Sequence, residues 1–394
     1  MTTPNTTSIP HSGADGGLPT SPLARDYYTS EEWHRRDLQR VFRERWLFAG
    51  HSSQIAQPGR FFTFELDADS VIVTRTKSGG IKAFHNVCRH RGAQFCQQRS
   101  GRTKYFTCPF HGWSYDLEGD LKVAPEMPEE FDKSQFPLRN VWVEEWNGLI
   151  FVSFAEQPPR SVTAALAKAD FSVFQLERTK VIADRVYDVS ANWKVNAETF
   201  AECYHCAIGH PEFSRIADPL ADLEAWDDAE AAEEDDDLGD YLIFTPDLAP
   251  SMAEGAVTLS PDGQFLCRRL LGADDNPPKE NAAVSWFPNW GMFVQPDYAT
   301  TFSWIPTSPT TTRFRSTWLV HEDAVPGQDY DPDALPEFMD TINLQDKELC
   351  RIAQAGISSS AYDNSAPYHP FFEAPAMGFL GTYLNHVRDV PADS

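Results

Sequence analysis

The spacing of apolar residues changes twice along the chain. Between residues 23 and 46 they return at close to the helical period, which predicts a helix that docks on the rest of the protein. From about Phe61 to Phe154 the apolar runs shorten and turn residues separate them, and the pair Asn147-Gly148 is typical of a tight hairpin turn. The pattern predicts an N-terminal helix at 23–46 and a small all-β domain at 47–160.

The second half of the chain mixes strand and helix periods. Residues 181–189 predict a strand that leads into a helix near Asn192, and aromatic strand-like segments follow between residues 286 and 320. A further helix is predicted from about Asp333 to Ala355. These elements indicate a second domain of strands and helices at 161–394, in which the aromatic strands form a sheet.

Composition narrows the class of protein. The 394 residues are 41% hydrophobic and carry a formal net charge of -25, so two folded domains with substantial cores are expected. Because negative charge repels phosphates, we expect neither nucleic acid nor a membrane surface as partner. No apolar run is long enough for a membrane span, and signal-peptide features are missing. We expect a cytoplasmic protein, with residues 1–22 as a disordered tail.

Two short motifs in the first domain contain residues that ligate metals. Cys88 and His90 form Cys-x-His, and after 17 intervening residues Cys108 and His111 form Cys-x-x-His. A two-iron cluster with two Cys on one iron and two His on the other requires this set. A Cys2His2 zinc site is the alternative, although such sites usually pair Cys with Cys and His with His. The other five cysteines are predicted to be buried free thiols.

A second group of possible ligands lies in the second domain. Glu202 and His205 are three residues apart and would share one face of a helix, whereas His210 would lie about 140° further round. The helix should therefore break near Gly209 and Pro211. Two histidines and one carboxylate form the facial triad of non-haem Fe(II) sites. Two ordinary histidines at a helix end remain the alternative.

A buried acid is predicted on the late helix. Asp346 falls on the apolar stripe between Ile342 and Leu349, and a buried carboxylate requires a cation or a strong partner. A salt bridge to Lys347 or Arg351 is the alternative, although helical geometry directs both of these side chains elsewhere.

The motifs at residues 88–92, 108–115, 192–194 and 202–210 together resemble the α subunit of Rieske non-haem iron oxygenases, the aromatic ring-hydroxylating dioxygenase family. The resemblance extends from about residue 24 to the end of the chain. It implies an α+β fold with an N-terminal all-β Rieske [2Fe-2S] domain and a C-terminal catalytic domain, in which helices flank a curved antiparallel sheet. It also implies two cofactors, a [2Fe-2S] cluster and Fe(2+).

The resemblance assigns roles to individual residues. It implies that His205, His210 and Asp346 hold Fe(2+), and that the cluster of one subunit of a homotrimer feeds the iron of its neighbour. Glu202 stands at the position of the acidic residue that bridges the two centres, although it could be a surface acid. Tyr204 is a candidate for a hydrogen bond near the iron or for packing alone.

Three further sequence segments resemble one branch of the family. Residues 202–206, 318–324 and 343–346 look closest to enzymes that act on quaternary ammonium compounds such as glycine betaine. This implies O2-dependent hydroxylation of an N-methyl carbon, with release of formaldehyde. Aromatic faces would hold the trimethylammonium group. The candidates, each of which could instead belong to the core, are Trp286, Trp290, Phe302 and Trp304.

Two alternative functions and a partner protein also have to be considered. An aromatic ring-hydroxylating or O-demethylating oxygenase is the first alternative; a pure electron carrier is disfavoured because it needs only the Rieske domain. No dinucleotide-binding fingerprint is visible, so a separate NAD(P)H-dependent flavin/iron-sulfur reductase is implied. The acidic residues 219–240 would be a solvated loop, or a face that attracts cations or docks the reductase.

Overall fold

The computed structural model describes residues 18–167, 170–218 and 251–387. Most of the predicted tail and the whole acidic segment 219–240 lie outside these ranges. The end of the predicted tail is attached to the body, since the carbonyls of Thr20 and Pro22 accept hydrogen bonds from Tyr368 and Asn364 at 2.8 and 3.0 Å.

The helices of the described chain are mostly short. The predicted N-terminal helix is interrupted at Ser30, because the Ser30 hydroxyl accepts the backbone N–H of Trp33 at 3.2 Å and caps a new helix. The segments are α1 Asp26–Thr29, α2 Glu31–Asp37 with a π-helical continuation Leu38–Phe42, α3 Val162–Leu166, α4 Trp193–Ala201, α5 Cys206–Gly209, α6 Glu337–Ile357 and α7 Ala374–Val387. None of them is long and apolar enough to cross a membrane.

Two antiparallel sheets form the N-terminal domain. The larger has the strand order β1-β10-β9-β4-β3-β2-β5 and the smaller β6-β7-β8. Asn147 and Gly148 both have positive φ and join β9 to β10, which confirms the predicted hairpin turn. The strands are β1 Leu47–His51, β2 Arg60–Leu66, β3 Asp69–Arg75, β4 Ile81–His85, β5 Ser100–Arg102, β6 Phe106–Thr107, β7 Ser114–Tyr115, β8 Leu121–Val123, β9 Asn140–Trp146 and β10 Leu149–Ser153.

A five-stranded antiparallel sheet organises the C-terminal domain, in the order β11-β17-β16-β15-β14. Its strands are β11 Thr179–Val189, β14 Ala282–Trp286, β15 Trp290–Val294, β16 Ala299–Ser308 and β17 Thr311–His321, and the short strands β12 Ala217–Asp218 and β13 Ser251–Met252 pair separately. Helices α4 and α6 pack on one face of this sheet. The arrangement confirms the predicted fold class, α+β with an all-β N-terminal domain and helices flanking a curved antiparallel sheet.

The opposite face of this sheet packs against the N-terminal domain. The ring of Trp290 lies 5.8 Å from that of Phe48 and 5.3 Å from that of Phe151, and all three side chains are buried. This shared apolar layer joins the two domains. The other face of the five-stranded sheet, on which α4 and α6 pack, carries the candidate site in the C-terminal domain.

A buried carboxylate ties the ends of the chain to the centre. Asp37 accepts hydrogen bonds from Trp193 Nε1 and the Tyr383 hydroxyl, both at 2.7 Å, and pairs with the ammonium of Lys194. Both charged side chains are 0% exposed, and burial lowers the pKa of Lys194. The network therefore fixes α2 and α7 against the start of α4.

Candidate metal centres and active site

The two cysteine–histidine loops share one backbone geometry. In each loop the carbonyl of the cysteine accepts the N–H of a glycine four residues later at 3.0 Å, Gly92 for Cys88 and Gly112 for Cys108. The two glycines have φ of 77° and 75°, a region that other residues rarely adopt. The first loop lies between β4 and β5, which do not pair, and the second joins the paired strands β6 and β7, so two separate loops present equivalent ligand sets.

The four side chains of these loops come together at the surface. Cys88 and Cys108 are 3% and 2% exposed, and burial, together with the neighbouring Cys108, raises the pKa of the Cys88 thiol. By contrast, His90 and His111 are exposed, with ring centroids 4.6 Å apart. The ring of Trp113 stacks on His90 at 4.8 Å. The donor set suits a two-iron cluster that buries its thiolate side and presents its imidazole side to the outside.

In the second motif a turn, and not a helix, brings Glu202 to His205. Helix α4 ends at Ala201, and Glu202 is extended with φ -135° and ψ 159°. Its carboxylate accepts the backbone N–H groups of Tyr204 and His205 and lies 2.6 Å from His205 Nδ1. The prediction that Glu202 and His205 share one helical face is therefore wrong. A carboxylate that accepts the backbone N–H groups of the next few residues competes with the helix for those hydrogen bonds. The break comes earlier than the predicted one near Gly209.

Three ligand-type atoms meet between this turn and α6. His205 Nε2 and His210 Nε2 are 3.2 Å apart. Asp346 Oδ1 lies 2.9 Å from His210 Nε2 and 3.4 Å from His205 Nε2. Residues 141 positions apart in sequence thus place two imidazoles and one carboxylate around a single point.

The outer nitrogens of both rings are already engaged. His205 Nδ1 contacts Glu202, and His210 Nδ1 lies 2.9 Å from Gln345 Oε1. The Gln345 amide in turn donates to Glu212 Oε2 at 2.9 Å. These contacts orient both rings with Nε2 toward the common point, as in metal-bound histidines. Sequence reasoning did not predict the roles of Gln345 and Glu212; the pairing of Gln345 with Asp346 along α6 was the available signal.

The charges of the site suit a divalent cation. Asp346 Oδ1 is buried, and no hydrogen bond of acceptable geometry satisfies it within the described residues. Burial alone would lower the pKa of His205 and raise the pKa of Asp346. The carboxylates of Asp346 and Glu202 instead raise the pKa of His205 to about 10, and the two histidines lower the pKa of Asp346. The alternative salt bridge from Arg351 to Asp346 is not formed, since Arg351 pairs with Glu348 at 2.6 Å. The residues present therefore fit Fe(2+).

Cys206 is a further ligand-type side chain at this centre. Its Sγ lies 4.0 Å from His205 Nε2, and the ligand atoms of Cys206, His205 and His210 all lie within 4.8 Å of one another. A hydrogen bond with Cys203, together with burial, raises the pKa of the Cys206 thiol far above its ordinary value. The thiol therefore stays protonated and competes poorly with Asp346 for a metal ion.

The four aromatic residues predicted to hold the substrate lie on two different faces of the sheet. Trp290 pairs directly with Trp286 on β14 and with Ser303 on β16, so these three side chains share a face. Phe302 and Trp304 flank Ser303 and therefore point to the other face. Trp286 and Trp290 are buried in the layer between the domains, which argues against the substrate contact predicted for them.

Phe302 and Trp304 lie on the face that carries the iron-type ligands. Phe200, in the last turn of α4 just before Glu202, lies 5.5 Å from Phe302 and 6.0 Å from Trp304 between ring centroids. Tyr204 is 51% exposed and stacks on Phe372 at 5.3 Å, so it packs at the surface beside the site.

Comparison with known proteins agrees with this geometry. Residues 45–144 match the family described as Rieske [2Fe-2S] domain, and residues 176–389 match the family described as ring hydroxylating alpha subunit (catalytic domain). The chain is 33% identical over 387 residues to the glycine betaine monooxygenase oxygenase subunit of Chromohalobacter salexigens, covering 92% of this chain and 84% of that one. It is 35% identical over 210 residues to the benzene 1,2-dioxygenase α subunit of Pseudomonas putida, covering 51% and 46%.

Solved structures support the fold. A quaternary ammonium Rieske monooxygenase in complex with the substrate gamma-butyrobetaine superimposes with a TM-score of 0.71 at 21% identity, covering 95% of this chain and 97% of that one. Naphthalene 1,2-dioxygenase from Rhodococcus sp. gives a TM-score of 0.68 at 20% identity, covering 95% of each chain. The predicted cofactors are confirmed by the two family matches. The chain belongs to the ring-hydroxylating α-subunit family, the Rieske non-haem iron oxygenases that use a [2Fe-2S] cluster and Fe(2+).

Proposed function

We propose that this enzyme hydroxylates an N-methyl carbon of a quaternary ammonium compound with O2. The resulting carbinolamine then collapses to formaldehyde and the demethylated amine. A relative that matches over 92% of the chain is a glycine betaine monooxygenase subunit, whereas the benzene dioxygenase α subunit matches over about half, 51%. This difference in coverage favours a quaternary ammonium substrate over an aromatic ring, which remains the alternative.

The observation that carries the proposal is the convergence of His205 Nε2, His210 Nε2 and Asp346 Oδ1 within 3.4 Å. These three residues are proposed to hold Fe(2+). When bound, an iron of this type supplies open positions at which O2 is activated with electrons from the Rieske cluster. The protein orients the ligands through Glu202 and Gln345 and keeps Asp346 away from solvent.

The cluster is proposed to be held by Cys88, Cys108, His90 and His111. Because the cysteines are buried and the histidines are exposed, electrons would leave through the imidazole side. A separate NAD(P)H-dependent flavin/iron-sulfur reductase is proposed to supply them. Residues 88–112 contain no acidic residue in a chain of net charge -25, which favours an acidic surface on the electron donor. The basic residues of this segment are Arg89, Arg91, Arg99, Arg102 and Lys104.

Glu202 is proposed to bridge the two kinds of centre across a subunit boundary. It already binds His205 Nδ1, and a carboxylate between two imidazoles fixes their tautomers and couples electron transfer to protonation. Apolar side chains beside it are open to solvent, Tyr204 at 51% and Ile208 at 92%. A second copy of the chain would cover them, as expected in a homotrimer in which one cluster serves the neighbouring iron.

The trimethylammonium group is proposed to contact aromatic faces on the α4 side of the sheet. Phe302 and Trp304 are proposed to contact this group, as predicted from the sequence. Phe200 is added to them, because its ring packs against both rings of β16 close to the turn that contains Glu202. Cation–π contact stabilises a desolvated cation by about 2 kcal/mol.

The deciding experiment is turnover with a purified reductase and NADH. Glycine betaine, a methoxylated benzoate and benzoate are supplied separately, and O2 uptake, formaldehyde and hydroxylated products are measured. We expect formaldehyde from the betaine in step with O2 uptake, and none from a His205→Ala variant. Hydroxylated benzoate, or formaldehyde from the methoxybenzoate alone, would instead establish the aromatic function.

A further inference from the structure

A cleft lies between the two domains, on the sheet face opposite α4 and α6. Residues of β2 and the start of β5 line it from the N-terminal domain, and residues of β11, β16 and β17 line it from the C-terminal domain. Its volume is about 240 Å³, which is roughly the space of eight water molecules in the liquid. A cleft of this size admits a small organic molecule but not a nucleotide or a peptide.

The floor of the cleft is apolar. Phe48 and Phe62 of the N-terminal domain are 2% and 5% exposed, and Ile305 of the C-terminal domain is 9% exposed. Ile305 on β16 pairs directly with Arg313 on β17, so a cationic side chain stands next to this floor. An apolar floor with a few charged groups beside it is typical of sites that bind small molecules.

One guanidinium of the cleft is already saturated by the protein. Arg315 Nε and Nη2 donate to the two carboxylate oxygens of Asp184 at 2.8 and 2.7 Å. Arg315 Nη1 donates to the carbonyl of Ala49 in the other domain at 3.0 Å. Each nitrogen of this guanidinium therefore has an acceptor, and Arg315 helps to hold the domains together.

Two other guanidiniums of the cleft have unused donors. Arg313 makes one side-chain contact, from Nη1 to Glu65 Oε2 of the other domain at 3.5 Å, which is the outer limit of a hydrogen bond. The Arg99 side chain, just before β5, has no hydrogen bond or ion pair with any residue that the structure describes. A guanidinium offers five N–H donors in a planar fork that matches a carboxylate.

The charges that line the cleft favour an anion. Its three arginines and two acids, Glu65 and Asp184, leave one net positive charge, in a chain whose net charge is -25. A ligand with one negative charge would neutralise this excess. A betaine fits less well, because its trimethylammonium group would lie among arginines.

We propose that this cleft binds a small organic acid anion. Its carboxylate accepts hydrogen bonds from Arg99 of one domain and Arg313 of the other. Its apolar body lies against Phe48, Phe62 and Ile305. The site is separate from the proposed iron centre, which lies on the other face of the sheet, and it does not rest on the proposed function.

An anion in this cleft would act on both domains. Because its carboxylate contacts one arginine of each, binding should favour the native contact between the domains and raise the temperature of unfolding. The ligand would also lie directly behind the aromatic residues of the other face. On β16, Ser303 and Ile305 line the cleft, whereas Phe302 and Trp304 alternate with them and point to the α4 side.

The test measures binding of hexanoate to the purified holoenzyme by isothermal titration calorimetry, beside hexanamide, an uncharged analogue of nearly the same shape. We expect saturable binding of hexanoate that weakens with added salt, and no comparable binding of hexanamide. Arg99→Gln and Arg313→Gln should each weaken hexanoate binding by at least about tenfold, since each loses a charge-assisted hydrogen bond. Arg268→Gln, which changes an exposed arginine outside the cleft, should bind like the unmodified enzyme.

Asp346→Ala distinguishes the cleft from the proposed iron centre. This variant should bind hexanoate with unchanged affinity, and loss of binding would place the anion at the iron centre and overturn the proposal. If an arginine variant does not fold, Val186→Glu replaces it, because Val186 lines the cleft and is 41% exposed. The added negative charge should weaken hexanoate binding in the same direction.

Three further results would overturn the proposal. They are the absence of saturable hexanoate binding up to about 20 mM, equal affinity for hexanamide, and unchanged affinity in both arginine variants. None of these measurements needs turnover. A chain that binds hexanoate but releases no formaldehyde from betaines would contradict the proposed function and leave the anion site standing.

Discussion

The carboxylate of Glu202 serves both structure and proposed electron transfer. It accepts two backbone N–H groups of its own turn and binds His205 Nδ1. In Glu202→Gln the side-chain oxygen still accepts hydrogen bonds, but the negative charge is lost. We expect normal iron content and a slower rate of cluster reoxidation by about 10–100-fold in single turnover with substrate and O2.

Glu348→Gln is the matched control for this change. Glu348 lies close to Asp346 on the same helix but is exposed and pairs with Arg351, so its charge should not affect the rate. Equal rates in Glu202→Gln and the unmodified enzyme would show that Glu202 only shapes the turn.

Iron binding should depend on pH through His205. Its pKa in the metal-free protein is raised to about 10, because Asp346 and Glu202 outweigh the effect of burial. Protonation of His205 therefore stabilises the metal-free fold. This stabilisation is complete at pH values below the pKa of His205 in the unfolded chain, and it is lost as the pH rises toward about 10. A metal must displace the proton, so Fe(2+) affinity should rise about tenfold per pH unit for each proton released.

Anaerobic calorimetric titration with Fe(2+) at several pH values between about 6 and 9 measures this dependence. Glu202→Gln removes one of the two carboxylates that raise the pKa, so its affinity should vary less steeply over the same range. A flat profile in the unmodified protein would mean that His205 binds the metal without losing a proton.

At the residue scale, the sequence identified the side chains that meet because each motif is short. Glu202, His205 and His210 lie within nine positions, and local geometry alone keeps them close. Gln345 touches His210 across 135 positions, a contact that depends on how α6 crosses the turn. Such long-range contacts follow from tertiary packing, which no local pattern contains.

At the scale of elements, local patterns predicted positions better than faces. The predicted strand at 181–189 and the helix from 333 to 355 appear as Thr179–Val189 and Glu337–Ile357. Asn192 caps α4, since its side chain accepts the N–H of Lys194 at 2.9 Å. The face that Trp290 occupies depends on the register between β15 and β16, and a shift of one residue reverses it. That register is set by the turns between strands, so aromatic content alone did not reveal it.

The ion pair that joins α2 to α4 and α7 should dominate the stability of these elements. In Asp37→Ala, the ammonium of Lys194 and the hydroxyl of Tyr383 lose their acceptor in a fully buried place. We expect the free energy of unfolding to fall by about 3–5 kcal/mol, measured by chemical denaturation.

The control for this change is Asp26→Ala, which removes an exposed acid of α1 that lies 3.8 Å from Arg25. It should alter stability by less than about 1 kcal/mol. The double variant Asp37→Leu/Lys194→Met should recover much of the loss, because it leaves no unpaired charge. A double variant as unstable as Asp37→Ala would show that the charges themselves are required.

For the whole molecule, the composition indicated two domains and an acidic surface, but assembly depends on shape. Ile208 is 92% exposed between the two histidines of the proposed iron site. In Ile208→Glu a charge replaces this apolar contact, and burying it against a partner chain is costly. We expect the proposed trimer to dissociate, as measured by light scattering, and turnover to be lost, with the metal content of each chain unchanged.

Val325→Glu is the control, because Val325 is 46% exposed on a loop of the same domain, outside the turn that holds the histidines. It should leave both assembly and turnover intact. A trimer that persists in Ile208→Glu would place the subunit contact elsewhere on the surface.

The outward opening of His90 and His111 has a consequence for genetics. If His111 and Asp346 hold the cluster and the iron as proposed, His111→Ala should remove the electron relay and Asp346→Ala the oxygen site, so each variant should be inactive alone. When the two variants are co-expressed, some of the proposed trimers will contain both kinds of chain. In these, the intact cluster of an Asp346→Ala chain lies beside the intact iron site of a His111→Ala chain. Two silent alleles should therefore complement each other, and the restored fraction of activity should follow the proportion of heterotypic neighbours.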